Sequence, residues 1–459
     1  MTAQTFSVRG RQVTVVGAAR SGVAAAELLV RRGASVTLTD KREDIADAHR
    51  LRTAGVRLEL GRHEQRTLTS ADLIVLSPGV PSTLPEVAAA RAAGIPVIGE
   101  LEMASRWLRG RIVAITGTKG KSTTTMLTGR MLEAGGHTVL VGGNIGNALS
   151  AQVDASTDET IHVVEASSFQ LESIERFHPW IAVLLNFSAD HLDRHANVEE
   201  YAAAKTRIFL NQTAGDWAVL NADDESVMKM ATEAASRKLL FSMTDSLASG
   251  ILVHGDAIVR RTADGETPLV PLSSVRLLGR HMIADVLAAS AVASLAGVDA
   301  AAMTEAVDQF TGLEHALEPV SEIGGVLFVN DSKATNIEAA RRAIESFDSV
   351  VAILGGRFKG GDFADLRESL VARNAHVIAI GESAGLIVKA LADVVPVHQA
   401  VDMAAAVRTA FATAAPGATV VLAPACASFD MFHDYAERGR VFKQEVERLE
   451  EEWKHAREQ

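Results

Sequence analysis

An α/β protein assembled from several parallel sheets is the fold class this sequence predicts, and three observations point to it. The chain has 459 residues, enough for about three domains at roughly 150 residues each. Short β-branched runs alternate with Ala-rich helical stretches along its whole length, the pattern of parallel strands joined by covering helices. Glycine-bearing turns follow several of the strands, where open α/β sheets bind their ligands.

The first hundred residues read as one Rossmann-like unit, with strands at 13–16, 36–39, 73–76 and 96–98 and helices at 22–31 and 86–93. A second sheet starts at 112–116 and continues through 139–141, 161–164, 181–185 and 218–220. Helical stretches at 282–296 and 301–310 close it, and Thr311-Gly312 reads as a helix stop and linker. A third, again Rossmann-like, unit carries strands at 327–330, 350–354, 377–380 and 419–422. The expected domains are therefore 1–99, 100–312 and 313–459. The charged stretch 440–459 is expected to be a helix with a solvated face.

Composition narrows the function. Hydrophobic residues are 47% and charged residues 22%, ordinary usage for a folded, water-soluble chain. A net charge of −12 with no basic block repels a phosphate backbone, which argues against a nucleic-acid partner. One cysteine, Cys426, allows neither an intramolecular disulfide nor a Cys-built zinc site and suits a reducing compartment. Residues 1–20 lack the pattern of a secretion signal. The longest apolar region, 283–298, is Ala-rich and contains Asp285, short of the roughly 20 clean residues that span a bilayer. It reads as a buried helix.

The strongest local signal is TGTKGKST at 116–123, between the strand at 112–115 and a helix expected over 124–134. Gly117 and Gly120 let backbone N–H groups approach phosphate oxygens, Lys121 supplies a cation, and Ser122 or Thr123 can hold Mg²⁺. The full Walker spacing wants a glycine where Ile115 stands, so the loop is a shortened form. ATP is the expected ligand. Glu165 ends one strand, and Asp190-His191-Leu192-Asp193 follows another. A strand-end carboxylate suits Mg²⁺, although a solvated carboxylate and a packing histidine remain the plainer alternatives. VVGAARSG at 15–22, with Asp40 closing the next strand, looks like a dinucleotide fingerprint. Ala19 replaces its second glycine, which disfavours an NAD hydride-transfer site. NDSKATN at 330–336 and the Gly-rich run 355–361 are weaker signals, readable as a polar loop and an anion-binding turn.

Taken together, these strings resemble the Mur ligase family of bacterial cell-wall enzymes, most closely its D-glutamate-adding branch. The resemblance spans all three domains through TGTKGKST, VVEASSFQLE (163–172), NFSADHLDRH (186–195), YAAAK (201–205), NDSKATN and APACASFDMF (423–432). It implies a monomeric, cytoplasmic, ATP-dependent amide ligase joining D-glutamate to UDP-N-acetylmuramoyl-L-alanine through an acyl phosphate, with two Mg²⁺ ions. By resemblance, ATP meets Gly117, Thr118, Lys119, Gly120, Lys121, Ser122, Thr123 and Asp331, and catalysis falls to Lys121, Glu165, His191 and Lys205. One metal ion falls to Ser122 and Glu165, the other to His191 and to Lys205 as an N-carbamate. The UDP-sugar substrate falls to Arg20, Ser21, Asp40, Arg42, Ser77 and Gly79, and its muramoyl-peptide side to Asn144, Ser167 and Gln170. D-glutamate falls to Lys333, Thr335, Lys359, Ser428 and Tyr435.

Two places depart from the family pattern. Met282 and Asp285 stand where asparagines are expected near adenine, and Ala316 follows His315 where an arginine is expected near the ATP phosphates, with Arg280 a candidate replacement. The competing readings are a sibling ligase for another amino acid, an NAD-binding oxidoreductase that leaves the phosphate loop unexplained, and a catalytically dead nucleotide-binding scaffold.

Overall fold

The computed structural model describes residues 6–191, 194–277 and 282–458, which carry three sheets. In the first, β1 (Gln12–Val16), β2 (Ser35–Asp40), β3 (Arg57–Leu60), β4 (Leu73–Leu76) and β5 (Val97–Gly99) run parallel in the order β3-β2-β1-β4-β5. The central sheet has nine strands: β6 (Arg111–Thr116), β7 (Thr138–Gly143), β8 (Thr160–Glu165), β9 (Ile181–Leu184), β10 (Trp217–Asn221), β11 (Arg237–Ser242), β12 (Gly250–His254), β13 (Ala257–Thr262) and β14 (Gly265–Pro271). Their order is β14-β13-β12-β11-β10-β9-β6-β8-β7, antiparallel only along the β12, β13 and β14 edge. The third sheet combines β15 (Glu318–Ile323), β16 (Val326–Asn330), β17 (Val350–Gly355), β18 (His376–Ile380), β19 (Val397–Gln399) and β20 (Thr419–Leu422) in the order β15-β16-β20-β17-β18-β19. Only β15 runs antiparallel there.

The described chain forms two compact units, Met1–Val275 with Ile283–Gln309, and Arg276–Met282 with Phe310–Gln459. The first holds the first two sheets and the second holds the third. Every predicted strand is present. The missed ones, β3, β11 to β15 and β19, lie toward sheet edges, where charged residues and proline, as in Arg57-Leu-Glu-Leu and Glu318-Pro-Val-Ser, dilute the apolar run that marks a central strand.

Two helical expectations are corrected. The helix after the phosphate loop is Lys121–Ala134, beginning before the expected residue 124, because Gly120 takes φ +76° as its N-cap and turns the chain directly into it. The terminal helix is Tyr435–Glu458, beginning before the expected residue 440, and opposite its solvated face it carries a buried one. Phe442, Val446 and Leu449 recur at helical spacing and enter the core beneath the third sheet with Phe328, Ile353 and Val420. The expected buried helix is Met282–Ala296, with Val286, Leu287, Ala289, Val292 and Ala293 fully enclosed.

Each sheet reverses its strand order at one point: beside β1, beside β6 and beside β20. Ligand crevices in open α/β sheets form at the carboxyl ends of strands at such points. The motifs singled out above follow β1, β2 and β4, then β6, β8 and β9, then β16, β17 and β20.

Candidate active site

The loop 117–120 leaves β6 at the switch point of the central sheet and is held open by a neighbour. Asn186, one strand over, accepts the Thr118 and Lys119 amides at 3.1 and 2.8 Å, and its own amide donates to Lys119 O at 3.1 Å. Lys121 opens the helix with Nζ 2.9 Å from Thr118 O, and Thr123 is buried two residues on. Ser122 Oγ donates to Glu165 Oε2 at 2.7 Å, and Asn144 Nδ2 donates to the other Glu165 oxygen at 2.7 Å. Asn144, expected on the substrate side, thus joins the Ser122–Glu165 pair. These oxygens are hard donors beside a helix N-terminus, suited to a divalent cation and the phosphates it accompanies.

Lys205 is buried, with Nζ donating to Gly117 O at 2.7 Å and lying 4.6 Å from the centre of the Tyr201 ring. Burial, and then the nearby Lys121 cation, push it down to about 7. His191 is exposed and its ring meets those of Phe169 and Tyr201 edge-on at 5.1 and 6.0 Å. Its φ of +55° is uncommon for a residue with a side chain. Leu192 and Asp193 lie outside the described residues. Among the described residues no group of three or more His, Cys, Asp or Glu side chains is arranged to hold a metal ion.

Asp285 packs its carboxylate against the loop. A Cβ added to Gly120 would lie 2.1 Å from Asp285 Oδ1, so no other residue fits at 120 without displacing that acid. Burial pushes Asp285 up to about 8, against the opposing pull of Thr124 and Lys121. Arg280, the candidate replacement cation, lies outside the described residues.

In the first sheet, Gly17 has φ +95° and a Cβ on Gly22 would sit 1.8 Å from Gly17 O, so both glycines are required by the turn. Asp40 accepts Ala18 N at 2.6 Å and is gripped by the Arg42 amide and guanidinium at 2.9 to 3.0 Å. Burial opposes its charge, yet Arg42 and the two amides outweigh burial and hold the carboxyl well below the usual range. The Ser77 hydroxyl is buried without a hydrogen-bond partner, Gly79 is exposed, and Arg20 reaches Asn144 O at 3.4 Å with Ser21 beside it in the same helix. Ser167 and Gln170 form a capping box, which occupies the Gln170 oxygen and leaves its amide nitrogen buried and unpartnered.

The second unit gathers the remaining residues. Lys359 Nζ lies 3.4 Å from Thr335 Oγ1, Lys333 is exposed, Ser428 is buried, and Tyr435 packs edge-on to His315 at 6.2 Å. Asp331 accepts Leu317 N at 3.2 Å, and burial pushes it up to about 7. Ala316 donates its amide to Leu313 O. The sequence reading did not single out Asn186 as a loop clamp. It stood within a quoted string, but its role depends on β9 lying beside β6, an adjacency of strand order.

A shortened phosphate loop facing a hydroxyl–carboxylate pair, within a three-sheet α/β chain, defines a P-loop enzyme class. Family models match the chain at three places: the Mur ligase MurD-like N-terminal domain at 11–99, the Mur ligase middle domain at 115–293 and the Mur ligase glutamate ligase domain at 317–426. The UDP-N-acetylmuramoylalanine--D-glutamate ligase of Acidobacterium capsulatum is 48% identical, covering 95% of this chain and 96% of its own. That of Koribacter versatilis is 44% identical, covering 98% and 100%. Among solved structures, the UDP-N-acetylmuramate-alanine ligase MurC of Thermotoga maritima shares the fold at a TM-score of 0.59 and 17% identity, covering 96% of this chain and 100% of its own. The chain belongs to the Mur ligase family.

Proposed function

We propose that this chain joins D-glutamate to UDP-N-acetylmuramoyl-L-alanine at the expense of ATP, forming ADP and phosphate, in cytoplasmic peptidoglycan precursor synthesis. The observation that carries the reading is the full-length similarity to ligases bearing that name. The Ser122–Glu165 pair beside the phosphate loop supports it chemically. A MurF ligase from Thermotoga maritima solved with ADP, at TM-score 0.58 and 18% identity over 96% of each chain, shares the fold.

A carboxylate resists attack by an amine at neutral pH, so the reaction needs activation. The L-alanyl carboxylate oxygen attacks the γ-phosphorus of ATP, ADP leaves, and an acyl phosphate forms. The neutral D-glutamate amine then adds to its carbonyl, and collapse of the tetrahedral intermediate expels phosphate and leaves the amide. Phosphoryl transfer is chiefly positioning and charge neutralisation. Lys121 and the loop residues Gly117, Thr118, Lys119 and Gly120 receive the phosphates, with Asn186 fixing the loop through the Thr118 and Lys119 amides and with Thr123 and Asp331 as further ATP contacts.

Ser122 and Glu165 would hold one Mg²⁺, and His191 with Lys205 as a carbamate a second. Bound there, the ions neutralise phosphoryl charge. The oxygen donors at Ser122 and Glu165 fit the first ion. At the second, carbamate formation requires the neutral amine, which a lysine near 7 supplies. Arg20, Ser21, Asp40, Arg42, Ser77 and Gly79 take the UDP group, and Asn144, Ser167 and Gln170 the muramoyl-peptide. Lys333, Thr335, Lys359, Ser428 and Tyr435 receive the amino acid, whose two carboxylates call for charge-assisted partners. The segments 1–99, 100–312 and 313–459 divide these tasks, and the chain works as a monomer.

The test is phosphate release by the purified chain with Mg-ATP and UDP-N-acetylmuramoyl-L-alanine, comparing D-glutamate, L-glutamate and diaminopimelate. D-glutamate alone should drive it. Preference for diaminopimelate would reassign the chain to a sibling activity.

A further inference from the structure

The second unit buries a cation for which the reaction described so far has no use. Arg438, in the first turn of the terminal helix, is 1% exposed. Its guanidinium donates from Nε to Ser332 Oγ at 2.9 Å, from Nη2 to Ser332 O at 2.8 Å, and from Nη1 to Cys426 O at 3.0 Å. No carboxylate pairs with it among the described residues, and Asp430 acts on it only at longer range.

Its position is more telling than its burial. Ser332 lies in the loop after β16 with Lys333 and Thr335, and Cys426 lies in the loop after β20, ahead of Ser428. Those loops also meet through Ala425 N and Ala334 O at 2.9 Å. The loop after β17, which carries Lys359, closes on the same point. A Cβ at Gly356 would lie 3.3 Å from Arg438 Nη1 and 2.3 Å from Ala427 O, and Arg357 and Ala427 exchange backbone hydrogen bonds at 2.8 and 3.0 Å. One planar fork thus bonds two of the loops, and the third, tied to the second through Arg357 and Ala427, passes close beside it at the switch point of the third sheet. Ser332 completes the knot by donating to Tyr435 O at 2.7 Å, at the start of the same helix.

We propose that Arg438 is the positioning residue of the amino-acid site. Its fork fastens the loops after β16 and β20, to which the loop after β17 is joined through Ala427, and its charge, unmatched by a paired carboxylate, biases the pocket toward an anionic amino acid. This rests on the D-glutamate reading. A buried cation whose partners are a hydroxyl and carbonyls keeps most of its field, whereas one paired to a carboxylate does not. Arginine suits the task because its donors are fixed in one plane, a geometry lysine does not reproduce.

The test compares wild type, Arg438→Lys and Arg438→Met in phosphate release, with KM measured separately for D-glutamate, ATP and the UDP-substrate. Arg438→Met is expected to raise the D-glutamate KM by about tenfold or more, with kcat at saturating D-glutamate and the other two KM values changing less than about threefold. Arg438→Lys, which keeps the charge and loses the fork, should fall between, and it carries the test alone if the methionine variant does not fold. Parallel rises in all three KM values, or an unchanged D-glutamate KM in a folded variant, would overturn the role of Arg438. A wild type indifferent to the amino acid offered would instead overturn the D-glutamate reading beneath it.

Discussion

Each of the two compact units buries a cation that no carboxylate among the described residues bonds, and they treat it differently. Among the described residues Lys205 has a single backbone acceptor, Gly117 O, and the face of Tyr201. Arg438 has three acceptors, one at each guanidinium nitrogen. Burial pushes the lysine down to about 7, within reach of losing its proton, and the arginine down only to about 10, where it stays charged. Counting partners separates the roles: a poorly solvated amine is a reactive group, and a guanidinium bonded at all three of its nitrogens is a fastening.

The comparison is broken most severely at the phosphate loop of the first unit. Lys121→Ala removes a preorganised cation beside developing phosphoryl charge and should cost on the order of 10²-fold or more in turnover. Near-normal turnover in a folded variant would detach the loop from catalysis.

Lys205 itself gives the sharper contrast. Lys205→Ala should lower activity by roughly 10- to 100-fold, the usual cost of disturbing metal ligation, and added short carboxylates should restore part of it. Lys205→Arg keeps a cation but offers no amine to carbamylate, so it should stay impaired and gain nothing from them. Near-normal activity of Lys205→Arg without added carboxylate would mean that the position needs only charge.

Asp285 tests whether burial acts on acids as it does on this amine. Its carboxyl rises from 3.8 to about 8, so the folded protein holds that proton more tightly than the unfolded chain. The resulting stability is complete below about pH 4 and lost as pH rises through about 8. Asp285→Asn removes the proton and keeps the shape. Wild-type Tm should therefore fall relative to the variant between about pH 5 and 8, then run parallel to it. Parallel curves throughout would show Asp285 ionised in the fold.

The smallest effect belongs to Ala316→Arg. A charge-assisted bond to phosphate is worth about 1.5–3 kcal/mol when fully formed, so an incompletely desolvated contact should lower the ATP KM several-fold and leave the D-glutamate KM nearly unchanged. Unchanged or poorer ATP kinetics would indicate a site already rebuilt around alanine.

Much of this was legible in the sequence. The phosphate loop, Glu165 and the three groups of strand-end motifs stood out because glycine and small polar residues interrupt β-branched runs exactly at strand ends, as in Ile115-Thr116-Gly117. The edge strands β12 to β14 were not: Arg260, Arg261 and Glu266 break up β13 and β14, and the apolar run of β12 is only Ile251-Leu252-Val253. Nor was Arg438 legible. Its stretch is dominated by charge, and only the spacing of Phe442, Val446 and Leu449 marks the buried face that it extends by one turn. Contacts that depend on strand order, such as Asn186 on the phosphate loop, have no local signature at all.

The central claim is that the substrate carboxylate is activated by phosphorylation on one of its own oxygens. Labelling both oxygens of the L-alanyl carboxylate with ¹⁸O and analysing the released phosphate by mass spectrometry reads that step directly. One labelled oxygen should appear in each phosphate, because the carboxylate oxygen that attacked phosphorus leaves with it. Unlabelled phosphate, released in step with amide formation, would contradict the account.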